Sequence, residues 1–172
     1  MAEVLDAIIL AGGSGSRMLP ASLYSPKETM ALLDTPILNH LVLEAAGAGV
    51  SRIHIVLSER KFRILEGFFE KGNLGASEIR PDLPVEVLSL CIDGVEIIPH
   101  IQYNPGGVAD AISVAIQKIS GPFLVLLGDM IFIDNHIGPA DLGIDNSSKA
   151  SWRLVDFFGK EGVPCVGIHI AS

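Results

Sequence analysis

The sequence predicts an α/β fold of three αβα layers, a mostly parallel sheet with helices on both faces. Short apolar runs of strand composition alternate along the chain with stretches of helical periodicity. Strands separated by helices favour parallel pairing, because a parallel connection needs a crossover that a helix commonly supplies. The 18 glycines among 172 residues suit the many tight connections of such a fold.

Six apolar segments are predicted to be strands. The first, residues 4–11, is an apolar run broken only by Asp6. The full set is 4–11, 52–58, 85–91, 96–103, 122–128 and 164–170. The polar segment 72–84 has the composition of a loop, and we expect residues 85–103 to form a local hairpin added to the sheet.

Four segments are predicted to be helices, each from apolar residues recurring at helical spacing. The first has Pro36 near its start and glycines at its end, as helix boundaries often do. The last supplies Trp152, Val155, Phe157 and Phe158 as candidates for the core. The predicted helices are residues 36–48, 60–70, 108–119 and 148–160.

Length and charge limit the class of protein. The chain of 172 residues is predicted to form one domain, residues 1–172, large enough to bury a core. A net charge of −8 with scattered Lys and Arg argues against a nucleic-acid surface. No apolar run is long enough to span a bilayer and no leader peptide is recognisable, so we expect a cytoplasmic protein without a membrane partner.

The cysteines and histidines carry no metal-binding pattern. Cys91 and Cys165 are far apart and lack CxxC spacing, which predicts buried free thiols in a reducing compartment. The five histidines have no ligand spacing, and three of them lie in predicted strands. We therefore expect core or surface roles for the histidines.

A glycine-rich loop follows the first strand directly and is the strongest functional signal. Glycines allow backbone N–H groups to approach a ligand, and successive N–H groups form an anion-binding concavity. Arg17 ends the loop with a planar fork suited to phosphate, and Lys27 in Pro26-Lys27-Glu28 adds a compact charge. Neither GxGxxG nor GxxxxGK[ST] fits, and a plain turn is the alternative. The predicted polyphosphate grip is Leu10-Ala11-Gly12-Gly13-Ser14-Gly15-Ser16-Arg17.

Two further segments are predicted to join this loop, because ligands of open α/β sheets bind beyond the carboxyl ends of strands. Gln102 has a side-chain amide able to read the edge of a base, and Gly107 leaves room for the ring. Asp129 ends an apolar strand and offers a hard oxygen ligand for Mg²⁺. The alternatives are a solvent-facing Gln102 in a Pro-Gly turn and a capping role for Asp129.

Taken together, these motifs resemble the sugar-1-phosphate nucleotidylyltransferases. The family pattern is LAxGxGxR-[ML]-x-P, then PKx-[ML], then Q…GxAxA, then GD after a buried strand. Here it corresponds to residues 10–20, Pro26-Lys27-Glu28, Gln102 with Gly107-Val108-Ala109-Asp110-Ala111, and Leu127-Gly128-Asp129. The PKE element and the segments after it look most like the UTP–glucose-1-phosphate uridylyltransferase branch.

The resemblance implies a Rossmann-like fold of the nucleotide-diphospho-sugar transferase type. It implies Mg²⁺-dependent transfer of a nucleotidyl group from an NTP, best UTP, to a sugar 1-phosphate, best glucose 1-phosphate. Arg17 and Lys27 would be catalytic, residues 10–16 with Gln102 and Gly107 would bind the nucleotide, and Asp129 would hold the metal.

The resemblance also raises alternatives. Members of the family are longer, so we expect the portion that forms much of the sugar pocket to be missing from this chain. A non-catalytic nucleotide-binding regulatory module, or transfer to an acceptor other than a sugar phosphate, are the competing hypotheses. An unfinished sheet edge would favour a homo-oligomer.

Overall fold

A computed structural model describes residues 3–69, 81–83, 88–104, 106–134 and 143–168. The strands are β1 (Asp6–Leu10), β2 (Ala31–Leu32), β3 (Thr35–Pro36), β4 (Arg52–Ser58), β5 (Glu96–Gln102) and β6 (Phe123–Leu127). The α-helices are α1 (Ala21–Tyr24), α2 (Ile37–Gly47), α3 (Glu59–Leu65), α4 (Val108–Ile116) and α5 (Ala150–Glu161). Short 3₁₀ turns cover Ser16–Met18, Lys27–Thr29, Glu66–Phe69 and Ile144–Asn146.

Four strands form one parallel sheet in the order β5-β4-β1-β6. The central strand β1 pairs in register on both sides, with Ile8 opposite His54 of β4 and Val125 of β6. Strands β2 and β3 form a separate two-stranded antiparallel ribbon. Because every strand of the large sheet points the same way, all four carboxyl ends lie along one edge.

Helices cover both faces of the sheet, which confirms the three-layer prediction. On one face, Ile9 and Ile55 pack with Leu41 of α2 and with apolar residues of α5. On the other face, Ile8 and Val56 pack with Ala111 and Ala115 of α4. Alternate residues of β1 and β4 therefore belong to different cores, as period-two side chains require. Within the described residues, no helix has the length and apolar character needed to cross a membrane.

The hairpin predicted for residues 85–103 is wrong. Strand β5 instead forms a seven-residue parallel ladder with β4, in which Ile97 lies opposite Ile53. In the described part of the preceding segment, residues 88–95, a single antiparallel bridge joins Ile92 and Val95. The parallel arrangement is favoured because Val95 and Ile97 then pack against the large core.

Two other predicted strands are not seen where the structure describes them. Residues 88–91 of the segment 85–91 contain no strand, and residues 84–87 lie outside the described part. Residues 164–168 of the segment 164–170 are also irregular, and the remainder is not described. Val166 and Ile168 are 83% and 80% exposed, so the apolar side chains of the described part of this segment are not covered by a neighbouring strand. Of the predicted loop 72–84, only residues 81–83 are described, and they form a turn and bend.

Some predicted core residues are more exposed than expected. Helix α5 packs through Leu154, Val155 and Phe158, whereas Trp152 and Phe157 are about half exposed. The two cysteines are free, as predicted, but each is half-buried rather than buried. They donate to backbone carbonyls, Cys91 to Phe69 and Cys165 to Leu154, which satisfies each thiol locally.

A line of polar side chains crosses the α4 face of the sheet from Asp6, at the amino end of β1, to His100 on β5. Asp6 is buried and accepts two hydrogen bonds from Arg52, at 2.6 and 2.7 Å, and one from His54 Nε2 at 3.1 Å. His54 Nδ1 lies 2.9 Å from Nε2 of His100 on β5. The donor in the contact between the two rings depends on their tautomers, and His54 links the Asp6 carboxylate to His100 in either case. The hydrogen bond from Arg52 holds the pKa of Asp6 below its usual value.

The same line predicts a pH-dependent stability. Burial, with the charges of His54 and Lys118, lowers the pKa of His100 from 6.5 to about 4. Between these values the unfolded chain binds a proton that the folded chain does not, so the free energy of unfolding falls as the pH is lowered. We expect His100→Gln, whose amide can still donate to His54, to flatten this decline in urea unfolding between about pH 7 and about pH 5. An unchanged decline would show that another group titrates.

Candidate functional site

The glycine-rich loop begins at the carboxyl edge of the sheet, where the backbone N–H of Ala11 donates to Val56 O of β4 at 2.9 Å. The loop then turns at Gly15, whose φ of 68° lies in the left-handed region that favours glycine. Ser22 Oγ donates to Gly15 O at 2.8 Å and holds this turn against α1. Gly13, Ser14, Ser16 and Arg17 are exposed beyond the edge of the sheet.

Gln102 lies beneath this loop. It ends β5 and is only 6% exposed, so the solvent-facing alternative is wrong. Its Oε1 would be 2.7 Å from a Cβ placed on Gly12, so a residue with a side chain at position 12 would have to displace it. Its Nε2 donates to Asp110 of α4, which also accepts from Gly106 N at 3.3 Å. The amide is thus fixed at the junction of loop, strand and helix.

Gly107 is placed differently from Gln102. It precedes α4 with a φ of 96° and is exposed, with open space around the position of a Cβ. The N-terminus of α4 therefore starts at an open surface next to the Asp110 contact. The structure brings Gly107 near the Gln102 network through the backbone and not through a side-chain contact.

Lys27 and Asp129 meet although 102 residues separate them in sequence. Lys27 Nζ donates to Asp129 Oδ2 at 2.8 Å, and the two side chains are 16% and 48% exposed. The hydrogen bond from Lys27 lowers the pKa of Asp129, and the positive charge of Arg17 acts in the same direction. A cationic and an anionic group thus lie together at the carboxyl edge, next to the glycine-rich loop.

Sequence reasoning missed two buried residues behind this pair. Lys61 of α3 donates from Nζ to Ala11 O at 2.7 Å and to Glu28 Oε1 and Oε2, both at 2.8 Å. Glu28 is fully buried and follows Lys27 directly. A signal existed, because Lys61 lies four residues before the buried Leu65 and so shares its helical face. A lysine on a buried face requires a partner.

These contacts form a row of alternating charges, which we call the ion chain: Lys61, Glu28, Lys27 and Asp129. Successive N···O distances are 2.8, 3.9 and 2.8 Å. Its inner end is buried under the loop, and its outer end is half exposed. The ion chain therefore connects the interior to the surface where the predicted polyphosphate grip opens.

The ends of β1 and β6 approach each other very closely at this edge. The backbone N–H of Gly128 donates to Leu10 O at 3.0 Å. A Cβ on Gly128 would lie 2.5 Å from that carbonyl oxygen, which belongs to the ladder and cannot move freely. Gly128 is thus required for Asp129 to follow β6 at this depth beside the loop.

Most of the predicted site residues converge on this edge. The loop residues, Lys27, Gln102 and Asp129 lie together, and Arg17 is near enough to act on the Asp129 carboxyl. Within the described ranges, no cluster of three or more His, Cys, Asp or Glu residues could hold a metal by itself. The arrangement brings together the exposed glycine-rich loop, two cations, one carboxylate and one amide, which suits a phosphorylated ligand with a flat base.

Fold and site together define a protein of the nucleotidyltransferase class. A family described as nucleotidyl transferase matches residues 6–150. The UTP–glucose-1-phosphate uridylyltransferase of Salmonella typhimurium is 32% identical over 139 residues, covering 78% of this chain and 47% of that protein. The same-named protein of Staphylococcus epidermidis is 31% identical over 173 residues, covering 98% and 56%. This chain belongs to the nucleotidyl transferase family.

Solved structures agree with this assignment. A UTP-bound UGPase from Acinetobacter baumannii has a TM-score of 0.74 at 25% identity, covering 92% of this chain and 54% of its own. A UDP-glucose pyrophosphorylase complexed with UDP-glucose shares the fold, with a TM-score of 0.70 at 24% identity and coverages of 92% and 55%. The chain therefore spans about half the length of the relatives it matches.

The close approach at Gly128 predicts a position-specific loss of stability. We expect Gly128→Ala to lower the free energy of unfolding by about 1–3 kcal/mol, because the added methyl meets a ladder carbonyl. Gly13→Ala is the matched control, since a Cβ there has nothing within 4 Å. Urea unfolding of both variants measures the difference, and equal effects would contradict the tight contact between the two strand ends.

Proposed function

We propose that this chain takes part in nucleotidyl transfer from UTP to glucose 1-phosphate, giving UDP-glucose and pyrophosphate. The observation that carries the proposal is the Lys27–Asp129 pair, joined at 2.8 Å beside the glycine-rich loop at the carboxyl edge. Family membership and the names of the relatives support the choice of substrates. Because the chain spans about half of those relatives, activity and substrates of the whole protein are part of the proposal.

The triphosphate would bind at the loop, where the amides of residues 12–16 and the side chain of Arg17 supply donors, while the amide of Ala11 is already bonded to Val56 O. Lys27 would leave Asp129 for a phosphate oxygen, since the pair is partly exposed and its geometry permits exchange. Gln102 and Gly107 would contact the base, with Gly107 leaving an open surface for the flat ring. Position and chemical type support each of these proposed roles.

Mg²⁺ fits the site as an ion shared with the substrate. Mg²⁺ commonly binds through one or two carboxylates together with substrate phosphates and waters, and Asp129 is a partly exposed carboxylate. Its lowered pKa keeps it ionised over the neutral range. When bound, the ion would neutralise charge on the phosphates.

The transfer requires positioning more than proton chemistry. An oxygen of the sugar phosphate would form a bond to the α-phosphorus while the bond from that phosphorus to the bridging oxygen breaks. Pyrophosphate leaves with the electron pair, in line with the incoming oxygen. Arg17 and Lys27 would stabilise the negative charge that collects on it, which is the largest contribution such a site can make.

Nucleotide binding without transfer is the second candidate, because the glycine-rich loop, Arg17 and Lys27 would supply donors to a triphosphate whether or not transfer follows. Self-association and cytoplasmic placement stay predictions. Among the described strands β6 pairs only with β1, which leaves its other edge without a described neighbour.

Pyrophosphate release tests the proposal. The chain is incubated with Mg²⁺, glucose 1-phosphate and one of UTP, ATP, GTP, CTP or dTTP. We expect release that needs both substrates and is fastest with UTP. Saturable binding of UTP without release would favour the binding module, and release with a different acceptor would replace glucose 1-phosphate.

Loss of either cation should slow this release. We expect Arg17→Ala and Lys27→Ala to reduce pyrophosphate release by about 10²-fold, the scale of removing one preorganised donor to a developing negative charge. Thermal unfolding should change little for Arg17→Ala, whose side chain is exposed. Lys160→Met, which removes a surface i,i+4 ion pair with Asp156, is the charge control. A wild-type rate in either alanine variant removes that residue from the reaction.

A further inference from the structure

Lys61 is the most deeply buried cation described in the fold. Its side chain is 8% exposed, and its three acceptors, Ala11 O and both oxygens of Glu28, match the three donors of an ammonium. It therefore joins α3 to the start of the glycine-rich loop and to the turn that carries Lys27. Burial lowers the pKa of Lys61, and the Glu28 carboxylate opposes that shift.

Stability alone is a poor reason for this buried pair. Replacing a buried ion pair by apolar side chains is often neutral or stabilising, whereas removing one partner leaves an uncompensated charge. The neighbouring Lys27 suggests what else the Lys61–Glu28 pair does. Lys27 Nζ is 3.9 Å from Glu28 Oε1, so the same carboxylate faces two lysines.

We propose that Lys61 is a positioning residue that holds the Glu28 carboxylate away from Lys27 and so leaves Lys27 available to the phosphates of the nucleotide. This inference rests on the proposed function of the same site. With Lys61 in place, both carboxylate oxygens of Glu28 accept hydrogen bonds from its buried ammonium group. Without it, the nearest cation to a buried carboxylate is Lys27, which would be drawn inward and away from Asp129 and the loop.

The contacts proposed for the base predict how the positioning role of Lys61 can be recognised in binding measurements. Gln102 and Gly107 lie on β5 and at the start of α4, outside the ion chain. Loss of Lys61 should therefore weaken contacts with the β- and γ-phosphates while sparing contacts with the base. A purely structural role would weaken binding of every nucleotide equally, or of none.

Binding of UTP and UMP in the presence of Mg²⁺, measured by calorimetry, tests the proposal. We expect Lys61→Met to weaken UTP binding about ten-fold or more, because the attraction between Glu28 and Lys27 is strong at this burial, and UMP binding less than about three-fold. UTP binding should stay within about three-fold of the wild type in two other variants. Lys61→Arg keeps the charge, and the double variant Lys61→Met with Glu28→Gln removes both charges. Lys160→Met is the matched control.

A second readout needs no nucleotide. Acetic anhydride modifies exposed amines, and mass spectrometry gives the rate at Lys27 relative to Lys160. We expect Lys61→Met to slow modification of Lys27 by about three-fold or more, because its amine is drawn towards the buried carboxylate. The double variant should restore the rate.

The outcomes separate the two proposals. Equal losses for UTP and UMP, or an unchanged Lys27 rate, in folded Lys61→Met would overturn the positioning role. If Lys61→Met does not fold, the test uses the double variant Lys61→Met with Glu28→Gln. A ten-fold loss of UTP binding in the folded double variant, without a matching loss of UMP binding, contradicts the positioning role. If the wild-type chain binds neither UTP nor UMP but Lys61→Met still slows modification of Lys27, only the proposed function is overturned.

Discussion

The in-register parallel pairing of β1 with β4 and β6 is the constraint on which the rest of the structure depends. Because β1 is central, the segment after it emerges between the ends of its two neighbours. The glycine-rich loop therefore starts against Val56 on one side and Gly128 on the other. Every functional contact described above is a consequence of several chain segments ending along the same edge, which is where ligands of open α/β sheets bind.

The sheet contains two different arrangements of buried polar groups. From the amino end of β1, Asp6, His54 and His100 form a line across the strands, and burial lowers the pKa of His100. At the carboxyl edge, the ion chain keeps its charges and continues to the surface. The first arrangement satisfies buried polar groups within the sheet, while the second also brings charge to the exposed carboxyl edge.

Sequence reasoning reached the elements that depend on local pattern. The predicted strand 52–58 matches β4, and the loop, Gln102 and Asp129 lie at strand ends, as the sequence predicts. The predicted strand 96–103 matches β5, but its pairing was wrong, because a short apolar run does not specify its partner and is compatible with both a hairpin and a parallel ladder. Sequence reasoning missed Lys61, because only the three-dimensional meeting of Ala11 O and Glu28 explains a lysine on a buried face.

Dissolved salt acts very unevenly on the ion chain. Mobile ions reach the half-exposed carboxylate of Asp129 and weaken its attraction to Lys27, but they cannot enter the space around Glu28 and Lys61. At high ionic strength the outer contact loosens while the inner one persists. The outer end of the row can therefore exchange partners while the buried Lys61–Glu28 pair beneath it stays in place.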